Sequence, residues 1–542
     1  MGSLYFGDNL FVLRDEIKSE SVDLVYLDPP FNSKRDYNLL FKTPKGHDSD
    51  AQITAFDDSW HWGEQAEREF AELLHHENTD VSEMIQSLRR FLKESDMMAY
   101  LVMMANRLVE LHRVLKSSGS LYLHCDPTAS HYLKIVLDTI FGAENFKNEI
   151  SWRRSQNRSS ISKIYRRAHD VILFYSKSSA YAFNMQYKEL SEASMKLYVN
   201  KDETGTYRLV PLLVSGKRNG FTGQVWRGID PNTHGKEGMH WVTLPEKLDE
   251  YEKQGLVVWG KREGSLPQLK YYLETNLGVP LNDFWDDIDV VGSSESLGYP
   301  TQKPLDLLER IIQASSNKDE IILDPFCGCG TAVHAAQSLG RDWIGIDITH
   351  LAVSLIEKRM KDAFPNISFE IHGTPMDFAG ARNLAERDKY QFQWWACSLV
   401  NAQPYQGKKK GSDGGIDGLI FFQDDEMGAQ KAGAKKIIVS VKGGEHVGVT
   451  MVKDLIATVE REKAAIGLFV TLAKPTQNMI TEAVTAGFYQ SPKGDVPKIQ
   501  ILTIEGLMSG IERPQYFDIS SGVHNFKKAK VEKPKVEQKK LL

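Results

Sequence analysis

The stretch ILDPFCGCGTAVHAAQSLGRDWIGIDIT, residues 322–349, is the part of the sequence that decides the fold. It begins as an apolar strand ending at Asp324, turns through a glycine-rich segment, continues as a helix from about Thr331, and ends as a second strand at Asp347. In doubly wound α/β sheets such a unit binds a nucleoside, because glycines let the backbone approach the ligand and the second acid accepts hydrogen bonds from ribose hydroxyls. The pattern therefore predicts an α/β fold with a nucleoside site.

The same alternation of strands and helices extends over the N-terminal two thirds of the chain. Runs rich in β-branched and aromatic residues predict strands at 22–28, 119–126, 169–176, 320–326 and 341–348. Apolar residues three and four positions apart predict helices at 97–116 and 129–141. Alternating strands and helices are typical of a parallel sheet covered by helices, so we predict a doubly wound, Rossmann-like sheet.

The composition is that of a soluble protein with several domains. The chain has 542 residues, of which 41% are hydrophobic, enough for two or three cores. Its four cysteines are too few for a disulfide framework, no apolar run approaches the length of a membrane span, and the N-terminus shows no signal peptide. We therefore expect a cytoplasmic protein with no membrane partner. The net charge of −6 excludes a generally basic surface, but residues 151–177 contain seven Lys or Arg and one acid, Asp170.

A second informative stretch is VDLVYLDPPFNSKRDYN, residues 22–38. Its apolar strand breaks at Asp28, which is followed by Pro29, Pro30 and Phe31. Ligands of open α/β sheets bind at the carboxyl ends of neighbouring strands where the winding reverses, so this turn should lie beside the nucleoside site. Proline fixes φ and has no N–H, which holds its carbonyl group in one direction. The stretch therefore predicts a rigid, polar turn that faces the bound nucleoside.

Three motifs carry a resemblance to a known family. In chain order they are LDPPFN, YPTQKPLDLLERII (residues 299–312) and LDPFCGCGT. Together they resemble the permuted β class of S-adenosylmethionine-dependent DNA amino-methyltransferases, in which the catalytic motif precedes the cofactor motif. The resemblance spans about residues 1–370, and it implies S-adenosylmethionine as cofactor and double-stranded DNA as substrate.

The same resemblance adds two residues to the cofactor pocket. They are Asp8 in YFGDNL and Lys303 in TQKP, for which a helix N-cap and a surface lysine are the alternative interpretations. The expected cofactor-binding residues are Asp8, Lys303, Asp324, Phe326, Gly328, Gly330 and Asp347.

Catalysis is expected from Asp28, Pro29, Pro30 and Phe31. An exocyclic amino group is a poor nucleophile because its lone pair is delocalised into the base. Acceptors such as the Asp28 carboxylate and the Pro29 carbonyl would draw this nitrogen toward tetrahedral geometry, while Phe31 offers a flat face to a base flipped out of the duplex. By the resemblance, an acid in this motif is associated with adenine N6 and a serine with cytosine N4. We therefore predict adenine N6, with cytosine N4 as the alternative, and the motif order disfavours an RNA substrate.

The sequence predicts a division of the chain into several segments. Residues 1–375 form the methyltransferase domain, within which 180–290 is an inserted target-recognition module with short strands and many Gly and Trp residues. The polar residues 376–388 are expected to be a linker, and 389–520 to be a second, smaller α/β domain. The Lys-rich residues 521–542 are expected to be a basic, disordered tail.

The second domain carries a resemblance of its own. GGIDGLIFF (residues 414–422) and KKIIVSVKGG (residues 435–444) resemble the restriction-endonuclease-like fold of Mrr-type nucleases. In that fold an acid on one strand and an acid-x-lysine or glutamine-x-lysine motif on the next form a site that binds Mg²⁺ and activates water. Asp417 and Lys442 match that pattern, but Ser440 stands where a second ligand is expected, and a hydroxyl is a poor Mg²⁺ ligand. We therefore expect a vestigial site without metal, and methyl transfer that does not depend on this domain. A combined restriction and modification enzyme is the alternative, and an oligomer or a separate restriction subunit stays open.

Overall fold

The computed structural model of the chain describes residues 2–30, 36–42, 48–57, 61–154, 165, 168–260, 265–292, 295–297, 299, 301–405, 415–424, 435–491, 493–518 and 529–532. Of residues 36–42, 48–57 and 404 it describes the backbone alone. The chain divides into two compact units, one of Met1–Asn184 with Asp283–Leu542 and the other of Met185–Asn282. No helix in these described ranges is long and apolar enough to cross a membrane.

The first part of the larger unit alternates between strands and helices. Its elements are β1 (Gly2–Phe6), α1 (Asn9–Asp15), β2 (Val22–Leu27), β3 (Asp36–Lys42), β4 (Asp48–Asp57), α2 (Glu64–Leu74), α3 (Thr79–Leu92), α4 (Asp96–Val114), β5 (Leu115–Cys125), α5 (Ser130–Phe141), a 3-10 turn (Ala143–Asn145), β6 (Phe146–Arg153) and β7 (His169–Ser176). The helices predicted at 97–116 and 129–141 are α4 and α5.

The smaller unit is built mainly from short antiparallel strands. Its elements are β8 (Tyr187–Lys188), α6 (Glu192–Met195), β9 (Asn200–Lys201), β10 (Thr206–Pro211), β11 (Leu213–Ser215), 3-10 turns (Phe221–Gly223 and Pro231–Thr233), β12 (Met239–Trp241), α7 (Pro245–Lys253), β13 (Val257–Val258), β14 (Gln268–Tyr272) and β15 (Val279–Pro280). A four-stranded sheet has the order β13-β14-β10-β9, and a small core forms around Trp226, Trp241 and Leu248.

The larger unit resumes after the smaller one with further strands and helices. They are β16 (Phe284–Trp285), α8 (Leu305–Ser315), β17 (Ile321–Asp324), α9 (Thr331–Ser338), β18 (Asp342–Asp347), α10 (His350–Ala363) and β19 (Phe369–His372). This part contains the strand, turn, helix and strand that residues 322–349 predict.

Strands from both parts of the larger unit form one nine-stranded sheet of order β16-β6-β7-β5-β2-β17-β18-β1-β19. From β5 to β19 the neighbouring strands are parallel, and the winding reverses between β2 and β17, where Leu24 lies opposite Ile322. The predicted strands correspond to β2, β5, β7, β17 and β18. Strand β7 departs from the predicted parallel arrangement, because it pairs antiparallel with β5 and with the preceding strand β6, which needs no crossover.

Two hydrophobic cores cover the faces of this sheet. Successive side chains of β2 point to opposite faces, so Val25 belongs to one core and Leu24 to the other. The first core is completed mainly by α3, α4 and α5, and the second by α8, α9 and α10. The sheet is therefore doubly wound, with helices on both faces, as the sequence predicts.

The C-terminal part of the larger unit forms a second, smaller α/β arrangement. Its elements are α11 (Phe378–Arg387), α12 (Lys389–Leu399), β20 (Gln403–Pro404), β21 (Gly418–Phe422), β22 (Lys435–Lys442), α13 (Val449–Arg461), β23 (Ile466–Thr471), α14 (Gln477–Thr485), β24 (Phe488–Ser491), β25 (Gly494–Pro497), β26 (Ile499–Thr503) and α15 (Ile504–Met508). A five-stranded sheet has the order β20-β21-β22-β23-β26 and is parallel from β22 to β26.

The segment 376–388, which the sequence predicts as a linker, contains helix α11. Ala381, Leu384 and Ala385 are buried in the core of the C-terminal domain, because residues at positions i, i+3 and i+4 share one face of a helix. Asp377 caps the helix by accepting a hydrogen bond from the Gly380 N–H at 2.7 Å. The polar residues that suggest a linker form the outer face of this helix.

Of the Lys-rich tail, only residues 529–532 belong to the described part of the chain. Glu532 Oε1 lies 3.2 Å from His334 Nε2 of α9, and the Glu532 N–H donates to the Ala363 carbonyl at 3.0 Å. This short segment therefore contacts α9 and α10 of the larger unit.

Candidate active site

The carboxyl ends of β1, β2, β17 and β18 open into a cavity of about 580 Å³, a volume typical of small-molecule sites. These strands are parallel neighbours, so the residues that follow them meet at one edge of the sheet. The predicted site residues that line the cavity are Asp8, Asp28, Pro29, Pro30, Lys303, Asp324, Phe326, Gly328 and Asp347. Gly330 is not among the lining residues, and Phe31 lies outside the described residues.

Asp28 directly follows the buried strand β2, and only one of its carboxylate oxygens accepts a hydrogen bond from a described residue. Its Oδ2 accepts a hydrogen bond from the Lys303 ammonium, in a salt bridge whose side chains are only 15% and 12% exposed. Its Oδ1 is buried and accepts no hydrogen bond from any residue that the structure describes. Because a buried carboxylate oxygen without a donor loses the hydrogen bonds it would make to water, Oδ1 is a ready acceptor for a ligand N–H. Lys303, predicted for the cofactor pocket, also orients Asp28.

The turn after β17 requires glycine at two positions. Gly328 and Gly330 have φ of +52° and +74°, in the left-handed region that favours glycine. A Cβ on Gly328 would lie 3.2 Å from the Tyr299 ring, and a Cβ on Gly330 would lie 2.9 Å from Ile356. Gly328 therefore lets the turn approach the cavity, whereas Gly330 shapes the start of α9.

Asp324 and Asp347 end β17 and β18, and both carboxyl groups are buried. Asp324 accepts the Phe326 N–H at 3.0 Å, and burial raises the pKa of Asp324 to about 8, with a further rise from the charge of Asp28. Asp347 accepts hydrogen bonds from the N–H and hydroxyl of Thr349, both at 2.9 Å. Burial raises the pKa of Asp347 to about 6. The cavity therefore contains two acids that titrate near neutral pH, as functional sites often do.

Asp8 has both of the roles that its sequence context allows, as a helix N-cap and as a residue of the pocket. It caps α1 by accepting the Leu10 N–H at 2.8 Å, and it also lines the cavity. Arg107 of α4 donates to Asp8 at 3.0 Å and to Asn9 Oδ1 at 2.6 Å, and it is only 5% exposed. Sequence reasoning missed Arg107 and Asn9, although an arginine inside the apolar run of α4 is a signal of a buried polar contact.

Two further lining residues come from the C-terminal domain. Gln391 and Trp394 lie on α12 and face the cavity together with Asp347, Ile348 and Thr349. The sequence prediction placed both residues in a separate domain and gave no role to either. Nothing in their local sequence indicates a contact with a turn about 40 positions away in the chain.

The predicted nuclease residues also come together, in the C-terminal sheet. Asp417 directly precedes β21, and its Oδ2 accepts the Val441 N–H at 2.6 Å and lies 3.8 Å from Lys442 Nζ. Its Oδ1 accepts a hydrogen bond from the Gln393 amide at 2.7 Å, and Ser440 Oγ lies 3.4 Å from Oδ2. Across the described part of the chain, no group of three or more His, Cys, Asp or Glu side chains is placed to hold a metal ion.

The smaller unit presents cations on its surface and keeps its central tryptophan inside. Lys217 and Arg218 are at the surface of this unit. Trp226 is only 4% exposed, packs edge-on against Trp241 and stacks on Trp259 with ring centroids 5.6 Å apart. Trp226 therefore belongs to the core of this unit, not to a surface that stacks on bases.

Comparisons with known proteins divide the chain into two regions. A family model of DNA methylases matches residues 22–358, and a model of restriction endonucleases matches residues 384–488. The Type II methyltransferase M.EcaI of Enterobacter cloacae is 32% identical to the chain over 361 residues, which cover 66% of this chain and 69% of that protein. The Mod subunit of the Type III restriction-modification enzyme StyLTI of Salmonella typhimurium is 28% identical to the chain over 348 residues. These residues cover 62% of this chain and 50% of that protein.

The chain also aligns with a solved structure of a DNA modification methylase. This crystal structure, of a protein from Thermus thermophilus in complex with S-adenosyl-L-methionine, is 17% identical and aligns with a TM-score of 0.32. The alignment covers 68% of this chain and 99% of that one.

Proposed function

The chain belongs to the N6/N4 DNA methylase family and carries a restriction-endonuclease-like domain after it, and from this premise we propose that it transfers a methyl group from S-adenosylmethionine to N6 of adenine in double-stranded DNA. The observation that carries the proposal is the Asp28 carboxylate. One of its oxygens pairs with Lys303, while the other is buried without a donor among the described residues, on a side chain that lines the cavity.

The lining residues fit the cofactor in charge and in shape. Bound S-adenosylmethionine supplies a methyl group on a positively charged sulfur. Asp324, whose pKa is raised to about 8, is protonated at neutral pH. The lining then has three carboxylates, Asp8, Asp28 and Asp347, against the two cations Lys303 and Arg107, and an excess of carboxylates favours a ligand with a positive centre. Asp347 would accept hydrogen bonds from ribose hydroxyls, and the glycine turn after β17 leaves room for the ligand.

Asp28 and Pro29 would act directly on the target amino group. Asp28 Oδ1, which has no donor among the described residues, accepts one amino hydrogen. The Pro29 carbonyl is the second acceptor, so that the nitrogen lone pair turns toward the methyl group. Pro30 keeps this turn rigid. After methyl transfer the amino nitrogen loses a proton, and Asp28 is the first group that accepts it. Phe31, outside the described residues, stays a prediction for the stacking of the flipped base.

The choice of adenine rests on the acid at position 28, because the family resemblance associates an acid in this motif with adenine N6 and a serine with cytosine N4. Single-molecule sequencing of DNA from cells that express the protein tests this choice, with cells expressing Asp28→Ala as the matched control. We expect N6-methyladenine at one short sequence motif, absent from the control. N4-methylcytosine instead would overturn the adenine assignment and leave the methyltransferase assignment standing. No modified base in either sample would overturn both.

We assign target recognition to the unit Met185–Asn282. Its Lys217 and Arg218, at the surface, suit phosphate contacts, which position a protein on DNA. Of the seven cations in the basic stretch 151–177, Arg153, Arg154 and Lys177 are among the described residues, and the other four lie outside them. DNA binding by these cations implies that affinity falls steeply with salt.

The C-terminal domain is proposed to bind DNA without cleaving it. The Asp417 carboxylate already accepts hydrogen bonds from the Gln393 amide and the Val441 N–H, and Lys442 lies beside it. A Mg²⁺ ion would have to displace these donors while gaining only a hydroxyl from Ser440, a weak ligand compared with a carboxylate.

We expect no Mg²⁺-dependent cleavage of unmethylated DNA by the purified protein, and no difference between wild type and Lys442→Ala in a plasmid-nicking assay. Ser440→Glu is the informative partner variant, because it adds the carboxylate that the site lacks. Cleavage by the wild type that disappears in Lys442→Ala would contradict this prediction and make the protein a combined restriction and modification enzyme.

A further inference from the structure

The cavity has a wall that the methyltransferase sequence motifs do not provide. Gln391 and Trp394 line it, and both lie on α12, inside the region 384–488 that matches restriction endonucleases. The cavity is thus shared between two domains that differ in family.

Contacts with the methyltransferase domain hold α12 at this wall. The His350 N–H, at the start of α10, donates to Gln391 Oε1 at 3.3 Å. Trp394 is half-buried and packs with Leu355 against a cluster of Tyr299, Cys329 and Leu351. These contacts bring α12 beside the Asp347 end of the cavity, because His350 closely follows Asp347 in the chain.

The opposite side of α12 belongs to the core of the C-terminal domain. Phe392, Trp395 and Ala396 are buried there with α11 and the five-stranded sheet. Gln393 donates to Asp417 Oδ1 at 2.7 Å. One helix therefore has residues at the cavity and a residue that contacts Asp417 of the predicted nuclease site.

We propose that Gln391 and Trp394 are cofactor-binding residues, so that the nuclease-like domain completes the S-adenosylmethionine site. The indole of Trp394 covers the adenosine end of the ligand, and the Gln391 amide, whose oxygen is engaged by His350, offers its nitrogen as a donor. This inference rests on the proposed function, and it replaces the expectation that methyl transfer is independent of the C-terminal domain.

Isothermal titration of the full-length protein with S-adenosylmethionine, without DNA, tests the proposal. Aromatic stacking on a base is strong enough that Trp394→Ala should raise the dissociation constant about 10- to 100-fold. Trp394→Phe should restore most of the affinity, and Gln391→Ala should have a smaller effect of about 3- to 10-fold. Tyr390→Ala is the matched control, because Tyr390 lies on the same helix, is 65% exposed and does not line the cavity.

A second readout separates direct contact from structural support. Trp394 should report ligand binding by a change in tryptophan fluorescence, and this change should shrink in Trp394→Phe, which keeps the packing. If the wild type binds S-adenosylmethionine and Trp394→Ala binds it equally well, the inference is overturned while the proposed function stands. If the wild type binds none, the proposed function itself fails. Should Trp394→Ala fail to fold, judged by its circular dichroism, Gln391→Ala and Trp394→Phe still decide the question.

Discussion

Asp28→Ala is expected to lower the rate of methyl transfer about 10²- to 10⁴-fold, the range that a positioned catalytic group contributes, and to change S-adenosylmethionine affinity by less than about threefold. The reason is the geometry at the end of β2, where Asp28 Oδ2 pairs with Lys303 and Oδ1 is buried with no donor among the described residues. We propose that this second oxygen accepts a hydrogen bond from the target amino group of the substrate, so removing it should affect the chemical step. Single-turnover methylation of a DNA duplex and titration of the cofactor measure the two quantities.

Two variants control for side effects of this change. Asp28→Asn keeps the shape of the side chain and removes its charge, so it should lose most of the rate. Thermal unfolding of this variant measures the stability that is lost because the buried Lys303 ammonium has no counter-charge. Asp15→Ala removes an exposed carboxylate at the end of α1 and should leave the rate unchanged. A rate for Asp28→Ala within about tenfold of wild type would contradict the proposed role of Asp28.

Asp347→Ala is expected to weaken cofactor binding by about 1 to 3 kcal/mol, or about 5- to 150-fold in dissociation constant, the value of a lost hydrogen bond to a charged group. Methyl transfer should recover when the cofactor is saturating, because Asp347 is not proposed to touch the target base. The measurements are the dissociation constant for S-adenosylmethionine and the dependence of the rate on its concentration. If Asp28→Ala and Asp347→Ala show the same defect, the proposed division of roles is wrong.

The pH dependence of cofactor binding gives an independent check on Asp347. Burial raises its pKa to about 6, so below about pH 6 the carboxyl group takes up a proton and loses both its charge and an acceptor oxygen. Affinity for the cationic cofactor should therefore fall as the pH drops through this pKa. Asp347→Asn should lack this change in affinity. A second change in affinity, near pH 8, should persist in this variant because it comes from Asp324, whose pKa is raised to about 8.

The central part of the fold follows from short-range sequence patterns. An apolar strand that breaks at an acid, as at Asp28, and a strand, glycine turn and helix, as at residues 322–349, each specify a local geometry. The rule that ligands bind where the winding reverses then brings β2 and β17 together. Lys303 was also expected at the pocket, but its salt bridge with Asp28 depends on a contact between residues 275 positions apart.

Features that depend on packing between distant segments could not be predicted. The segment 376–388 has a polar composition because one face of α11 is in solvent, and only the fold shows that Ala381 and Leu384 are buried. Trp394 has the apolar character of an ordinary core residue. Its place at a cavity formed by other strands is set by how two domains dock, and a single sequence does not encode that docking in any local pattern.

The position of α12 also bears on how this gene can evolve. A recombination event between 376 and 388 would join a methyltransferase to the C-terminal domain of a different ancestor, and the new α12 would bring its own residues to the cofactor cavity. Such a hybrid would need matching changes in the cluster of Tyr299, Cys329 and Leu351, against which Trp394 packs in this chain. The two domains should therefore be inherited as a matched pair, and in related sequences substitutions at position 394 should vary together with those on α10.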